Sequence, residues 1–180
     1  LIVTFLGRLE NDKAPDKFLE AFLIANKKLF KKIHSIIIGS GSMKAQLENL
    51  IIKNNAISDI MILGDISHQT ILHILNKTDI YISLNRFGNL SNSNLEAMSA
   101  GKAIIMPRSK PREEIDIYTD KIIPKSAVYR VSSSNYVEEI ANAIIYLYSN
   151  RSIRLELGRN IKRVSSKFIH GWERRKIGRA

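Results

Sequence analysis

The chain contains no cysteine. Disulfide scaffolds, thiol catalysis and cysteine-based zinc sites are therefore excluded. Histidine is scarce: the four, at positions 34, 68, 73 and 170, show no HExxH or facial-triad spacing. No apolar run approaches the ~20 residues that a membrane-spanning helix requires, and there is no signal-peptide pattern. Acidic residues are few: 17 Asp and Glu stand against 28 Lys and Arg, a formal charge of +11. The excess is uneven. Ten basic and two acidic residues fall between Arg151 and Ala180, which puts +8 in the last thirty positions and leaves +3 for the first 150. A body so nearly balanced is not a nucleic-acid binder by composition. What is present is ordinary for one folded domain: 180 residues, 44% hydrophobic and 25% charged. The chain opens on "LIVTFLG", which reads as a core strand already under way and as part of something longer.

Short apolar runs alternate with longer helical patterns. "LIVTFL" (1–6), "HSIIIG" (34–39), "IMIL" (60–63), "DIYISL" (79–84) and "AIIM" (103–106) are β-branched and bounded by Gly, Asp or Pro. Apolar on both faces, they predict buried parallel strands. A sixth, weaker strand is expected at 121–123 or 128–131. Between them, helices are predicted over 15–30, 43–54, 67–76, 92–100, 135–148 and 151–168. Pro15 opens the first, Ser67 is a plausible N-cap of the third, and Gly101 closes the fourth. Such alternation predicts an α/β domain: βαβ units, a mostly parallel sheet of about six strands, and helices on both faces. Ligands in such sheets bind beyond the C-terminal strand ends, so the informative loops are 7–14, 39–43, 64–67, 84–94 and 107–112.

In the first loop Gly7 lets the chain turn, and Arg8 and Lys13 follow at the ligand edge. Two cations there suit a diphosphate, one as a planar fork and one as a point charge; two solvated surface cations are the plain alternative. The second, "GSGSMK" with Gly39 and Gly41, either cradles phosphate at a helix N-terminus or is a tight turn without a ligand. The third, from Arg86 to Lys102, is rich in Gly, Asn and Ser, with amides pointing at whatever occupies the strand ends. Glu96 lies in the first turns of the helix that follows, either stabilised by the helix dipole or accepting hydrogen bonds from a ribose diol. His68 and His73 read as exposed or satisfied, Asp65 as a turn residue and Trp172 as a packing anchor.

In order along the chain, these segments resemble the C-terminal domain of family 4 (group 1) glycosyltransferases of the GT-B class. Gly7-Arg8-Leu9, Lys13, Phe18-Leu19 and Ala21-Phe22 are similar to that family's "GRL…KG…L…AF" opening. "IIIGSGSMKAQLENLI", "IMILGDIS", "TDIYISLN", "NLEAMSAGKAIIM" and "NRSIRLELGRN" are similar to its later segments, out to about Trp172. The resemblance implies a Rossmann-like three-layer α/β/α domain over 1–168, the C-terminal half of a GT-B fold. A basic tail, 169–180, would lead back to an N-terminal domain. It also implies a metal-independent, retaining hexosyltransferase that binds a nucleoside-diphosphate sugar as substrate and works in the cytoplasm on cell-envelope polysaccharide. Arg8 and Lys13 then neutralise the diphosphate, and Glu96 binds the ribose hydroxyls. Amides around Asn94 and Leu95 face the phosphate, and Ile60 to Gly64 form the edge under the base.

Departures are equally informative. The first Glu of the family's Glu–seven residues–Glu motif falls at Gly88, which has no side chain. Its contact to the transferred sugar is then unfilled or moved to a neighbour such as Asn89, Asn92, Ser93 or Asn94. The family glycine after the lysine is Ala14, and its "GGxxE" turn is replaced by "RSKPRE" from Arg108. Nothing corresponds to the acceptor-binding N-terminal domain, so the chain alone is expected to bind nucleotide weakly and to transfer no sugar. The alternatives are a degenerate, non-catalytic nucleotide-sugar module and a GT-B relative such as a sugar-nucleotide epimerase. On the last helix, Ile153, Leu157, Ile161, Val164 and Phe168 share one face and cations crowd the rest. The stripe is either core-facing or suited to an anionic bilayer at the inner membrane face.

Overall fold

The computed structural model describes residues 1–85, 90–109, 117–132 and 136–177; the side chains of 117, 118 and 168–177 lie outside the description. Six strands form one sheet: β1 (Ile2–Leu6), β2 (His34–Ile38), β3 (Ile60–Leu63), β4 (Ile80–Ile82), β5 (Ala103–Pro107) and β6 (Tyr129–Val131). All neighbours are parallel, in the order β3-β2-β1-β4-β5-β6. The order reverses between β1 and β4, where Val3 pairs with Ile80 and Thr4 with Tyr81. That reversal opens a crevice at the C-terminal ends of β1 and β4, the place where such folds bind ligands.

The helices are α1 (Pro15–Lys28), α2 (Lys44–Lys53), α3 (His68–Lys77), α4 (Asn92–Ser99), α5 (Ile117–Ile122), α6 (Tyr136–Ser149) and α7 (Arg151–Ile177). Alternate strand residues serve two cores. Val3, Phe5, Ile80, Ile82 and Ile105 pack under α1, α2 and α6. Tyr81, Ile104 and Met106 pack under α3, α4 and α7. A sheet buried on both faces explains why its strands read as continuous apolar runs. Phe18 and Phe22 of α1 are fully buried, and the Phe18 ring lies 5.4 Å from that of Phe5.

Three details refine the sequence reading. Of the two expected positions for the sixth strand the second is realised, as β6, while Lys121 and Ile122 belong to α5, a short helix the apolar pattern did not reveal. On α3 Leu75 is buried and Ile71 half-buried, while Leu72 is 39% exposed. α7 continues in one helix to Ile177, past the expected end at 168. Among the described side chains its apolar stripe faces the core: Leu157 and Ile161 are buried and Ile153 and Val164 half-buried, and a methyl added at Gly158 would collide with the Gly101 carbonyl.

Candidate nucleotide-binding cleft

β1, β2 and β3 end side by side, and their loops continue the ladder. The Gly7 amide donates to the Ile38 carbonyl at 3.0 Å and the Gly39 amide to Leu63 at 2.9 Å. The first two loops then cross: Leu9 N donates to Ser40 O at 2.8 Å and Met43 N to Leu9 O at 3.0 Å. This crossing is what the glycines permit. A Cβ at Gly39 (φ +134°) would strike the Gly7 carbonyl, and one at Gly41 would stand 2.5 Å from the Leu9 carbonyl oxygen. Gly39 and Gly41 therefore serve loop-to-loop approach. The Ser42 amide is taken as well: Glu10 accepts from it at 2.8 Å and from the Ser42 hydroxyl at 2.7 Å. These two bonds pull the Glu10 carboxyl below its ordinary pKa. "GSGSMK" thus forms a tight turn bridged by the Glu10 carboxylate.

The three loops border a cleft of about 190 Å³ whose lining includes Gly7, Arg8, Gly39, Ser40, Gly64 and Ile71. Nothing lies within 4 Å of a Cβ built on Gly64, so this wall is open. Arg8 and Lys13 meet at one atom. Asp12 Oδ2 is 3.0 Å from the Arg8 guanidinium and 3.4 Å from Lys13 Nζ. The sequence reading missed Asp12, although its spacing, four residues after Arg8 and adjacent to Lys13, is the signal for such a pair. Ala14, where the family carries glycine, is buried in a left-handed conformation (φ 50°, ψ 50°) that an L-residue adopts at a cost of roughly 1–2 kcal/mol.

Across the crevice, α4 begins at Asn92 with Ser91 as its N-cap. The Asn94 amide donates to Ser91 Oγ at 3.4 Å and the Leu95 amide to the Ser91 carbonyl at 3.0 Å. The Asn94 side chain is buried and committed: it accepts from the Tyr81 hydroxyl at 2.9 Å and donates to Ser83 Oγ at 2.9 Å. Burial, with a smaller effect from the Glu96 charge, raises the Tyr81 pKa far above its ordinary value, so the phenol stays a donor. Asn94 and Leu95 are thus spent on the fold. The amides of Asn92 and Ser93, first in the helix, are the ones directed outward from its start.

Glu96 projects from the second turn of α4. Burial raises its carboxyl pKa, and His68, whose Nδ1 lies 3.4 Å from Glu96 Oε1, opposes the rise. His68 was read from sequence as exposed or satisfied; it is 66% exposed, yet it contacts the candidate ribose acceptor. No local pattern pairs residues 28 positions apart, so only the packing of α3 on α4 reveals this contact.

Other expected site residues fall elsewhere. Ile60 pairs with Ser35 at the start of β3, whereas Leu63 pairs with Ile38 at its end. Ile60 is buried at the wrong end of the sheet, about 10 Å from the loop edge, and only Gly64 remains of that pair. Gly88 and Asn89 lie outside the described residues, as does the basic turn from Lys110 on. Beside that turn, Asp120 accepts from the Ser109 amide and hydroxyl and pairs with Arg130 at 2.6 Å, a brace the sequence did not disclose.

Comparison with known proteins agrees with this architecture. The family model described as "Glycosyl transferases group 1" matches residues 1–164. An uncharacterized glycosyltransferase of Methanocaldococcus jannaschii is 32% identical over 161 residues, covering 88% of this chain and 38% of that protein. The chain thus spans well under half of that relative. Among solved structures, the C-terminal domain of a glycosyl transferase group 1 family protein from Francisella tularensis superposes with a TM-score of 0.78 at 20% identity, covering 92% of this chain and 84% of that one. The pneumococcal O-GlcNAc transferase solved with UDP and GlcNAc gives a TM-score of 0.75 at 18% identity, covering 96% of this chain and 34% of that one.

Proposed function

The chain belongs to the group 1 glycosyl transferases, and from that premise we propose that it is the donor-binding domain of a retaining enzyme that transfers a hexosyl group from a nucleoside-diphosphate sugar. The observation that carries this reading is the meeting of Arg8 and Lys13 at Asp12, with Arg8 lining the open cleft beyond the ends of β1, β2 and β3. As the glycosidic bond breaks, negative charge grows on the departing diphosphate. Two preorganised cations stabilise that charge where it develops. Asp12 keeps them together and neutralises only part of their charge. The outward amides of Asn92 and Ser93 supply further donors at a helix N-terminus. Glu96 accepts from the ribose hydroxyls, and the base lies along Gly64. The pneumococcal enzyme solved with UDP supports a uridine nucleotide as the first donor to try.

Catalysis further requires an acceptor domain beyond this chain, as the 38% coverage of the Methanocaldococcus protein supports. The test is kinetic. In the full-length enzyme, replacing Arg8 or Lys13 by Ala lowers turnover, and replacing Glu96 by Gln raises the donor KM. Unchanged kinetics for all three would reject the assignment. One residue favours a second reading. Gly88 stands where the family's sugar-binding Glu is expected, which fits a degenerate, non-catalytic module. Gly88→Glu separates the two: gained transfer indicates decay, and lost transfer indicates a different sugar site.

A further inference from the structure

The contact between α3 and α4 extends this reading of Glu96 and rests on it. A vicinal diol is held best by an ionised carboxylate, which accepts at both oxygens; the protonated acid gives up one acceptor to become a donor. Glu96 is under pressure to protonate, because its side chain is only 23% exposed. Among the described residues, the groups that face it are few. Tyr81, from β4, is neutral and its hydroxyl is bonded to Asn94. Lys102 and Lys162, from the β5 approach and α7, sit at the far end of α4 beside Gly101, with Lys102 bonded to the Asn76 carbonyl. That leaves His68 at the first position of α3, where Ser67 caps the helix by accepting from the Thr70 amide at 3.2 Å. In the chain His68 lies between Ile66 and Ile71, both of which line the cleft.

We propose that His68 is a positioning residue: its imidazole holds the Glu96 carboxylate ionised and turned toward the cleft, so that a ribose diol entering there meets two acceptor oxygens. The positive end of α3, at its N-terminus, works in the same direction. His68 itself touches neither the phosphates nor the transferred sugar in this scheme. Its effect is therefore specific to the ribose.

The experiment is calorimetric titration of the chain and its His68→Ala and His68→Asn variants. The ligands are UDP, GDP or ADP (whichever binds the wild type best), the 2′-deoxy form of that nucleotide, and inorganic pyrophosphate. His68→Ala is expected to weaken the ribonucleotide about two- to fivefold, within the range of a partly exposed charged contact. The 2′-deoxy nucleotide should lose less and pyrophosphate should be unaffected. The acid limb of the affinity–pH curve should move to higher pH, because Glu96 loses the charge that opposes its burial. His68→Asn, which keeps a donor near the Nδ1 position without the charge, should fall between. Equal losses for all three ligands, or an unmoved acid limb, would overturn the proposal while leaving the donor site intact. Failure of the wild type to bind any of the three nucleotides would overturn the functional reading beneath it.

Discussion

Glu10 and Ser42 close the glycine-rich turn after β2 through two hydrogen bonds, from the Ser42 amide at 2.8 Å and from its hydroxyl at 2.7 Å. Because the folded state lowers the Glu10 pKa, its contribution is present above the ordinary carboxylate pKa of about 4.3. It is lost as pH falls through the folded value. Thermal melts should show Glu10→Gln less stable than wild type at pH 7. The gap should close as pH drops below about 4. A gap that persists in acid would contradict the assignment.

The glycines separate structure from ligand. Gly39→Ala forces a methyl into the Gly7 carbonyl at φ +134° and should destabilise the chain by roughly 2–4 kcal/mol. Gly64→Ala meets open space and should change stability by less than about 0.5 kcal/mol. If the base lies along this wall, Gly64→Ala nevertheless weakens nucleotide binding. Denaturant melts and titration of both variants read the two effects independently.

Glu96 is expected to trade stability for binding. Its pKa is raised by burial, so the folded state holds the proton more tightly than the unfolded one. Relative stability from this group is therefore full below the unfolded pKa, about 4.3, and declines as pH rises through the folded value. Glu96→Gln should melt higher than wild type at pH 7, with the difference vanishing near pH 4, and should bind the ribonucleotide more weakly. A lower melting temperature at pH 7 would contradict the burial argument.

Much of this was legible from the sequence. Strands buried on both faces must be apolar throughout, and Val3, Phe5, Ile80 and Ile82 show that pattern directly. That positions 7, 8 and 13 follow the end of β1 and that Glu96 lies early in a helix was legible as well, because elements and their loops are ordered along the chain. What was not legible is pairing at a distance. Glu10 with Ser42, His68 with Glu96, and Tyr81 with Asn94 join separate elements, and no spacing rule links them. The placement of Ile60 failed for a related reason. A run of similar residues does not mark which end of its strand faces the ligand until the register is known.

Arg8 is exposed and bound to Asp12, a surface pair that contributes at most about 1 kcal/mol to folding. Arg8→Ala should leave the melting temperature almost unchanged. Loss of a charge-assisted phosphate contact at an exposed site should weaken nucleoside diphosphate binding by about tenfold. Paired melts and titrations check both.

The exposed face of α7 carries Arg159, Lys162, Arg163 and Lys167 opposite its buried stripe. If an anionic bilayer is its partner, the chain should co-sediment with vesicles containing anionic lipid and not with neutral ones. Equal binding to both would remove the electrostatic contact.

The most direct test of the account is titration of the chain with UDP, GDP and ADP by calorimetry or amide-shift NMR. Saturable binding of at least one nucleotide is predicted, with shifts centred on Gly7, Arg8, Gly64 and Asn92 to Glu96 and no sugar transfer by the chain alone. Absence of saturation by all three at millimolar concentration, or shifts confined to other surfaces, would contradict it.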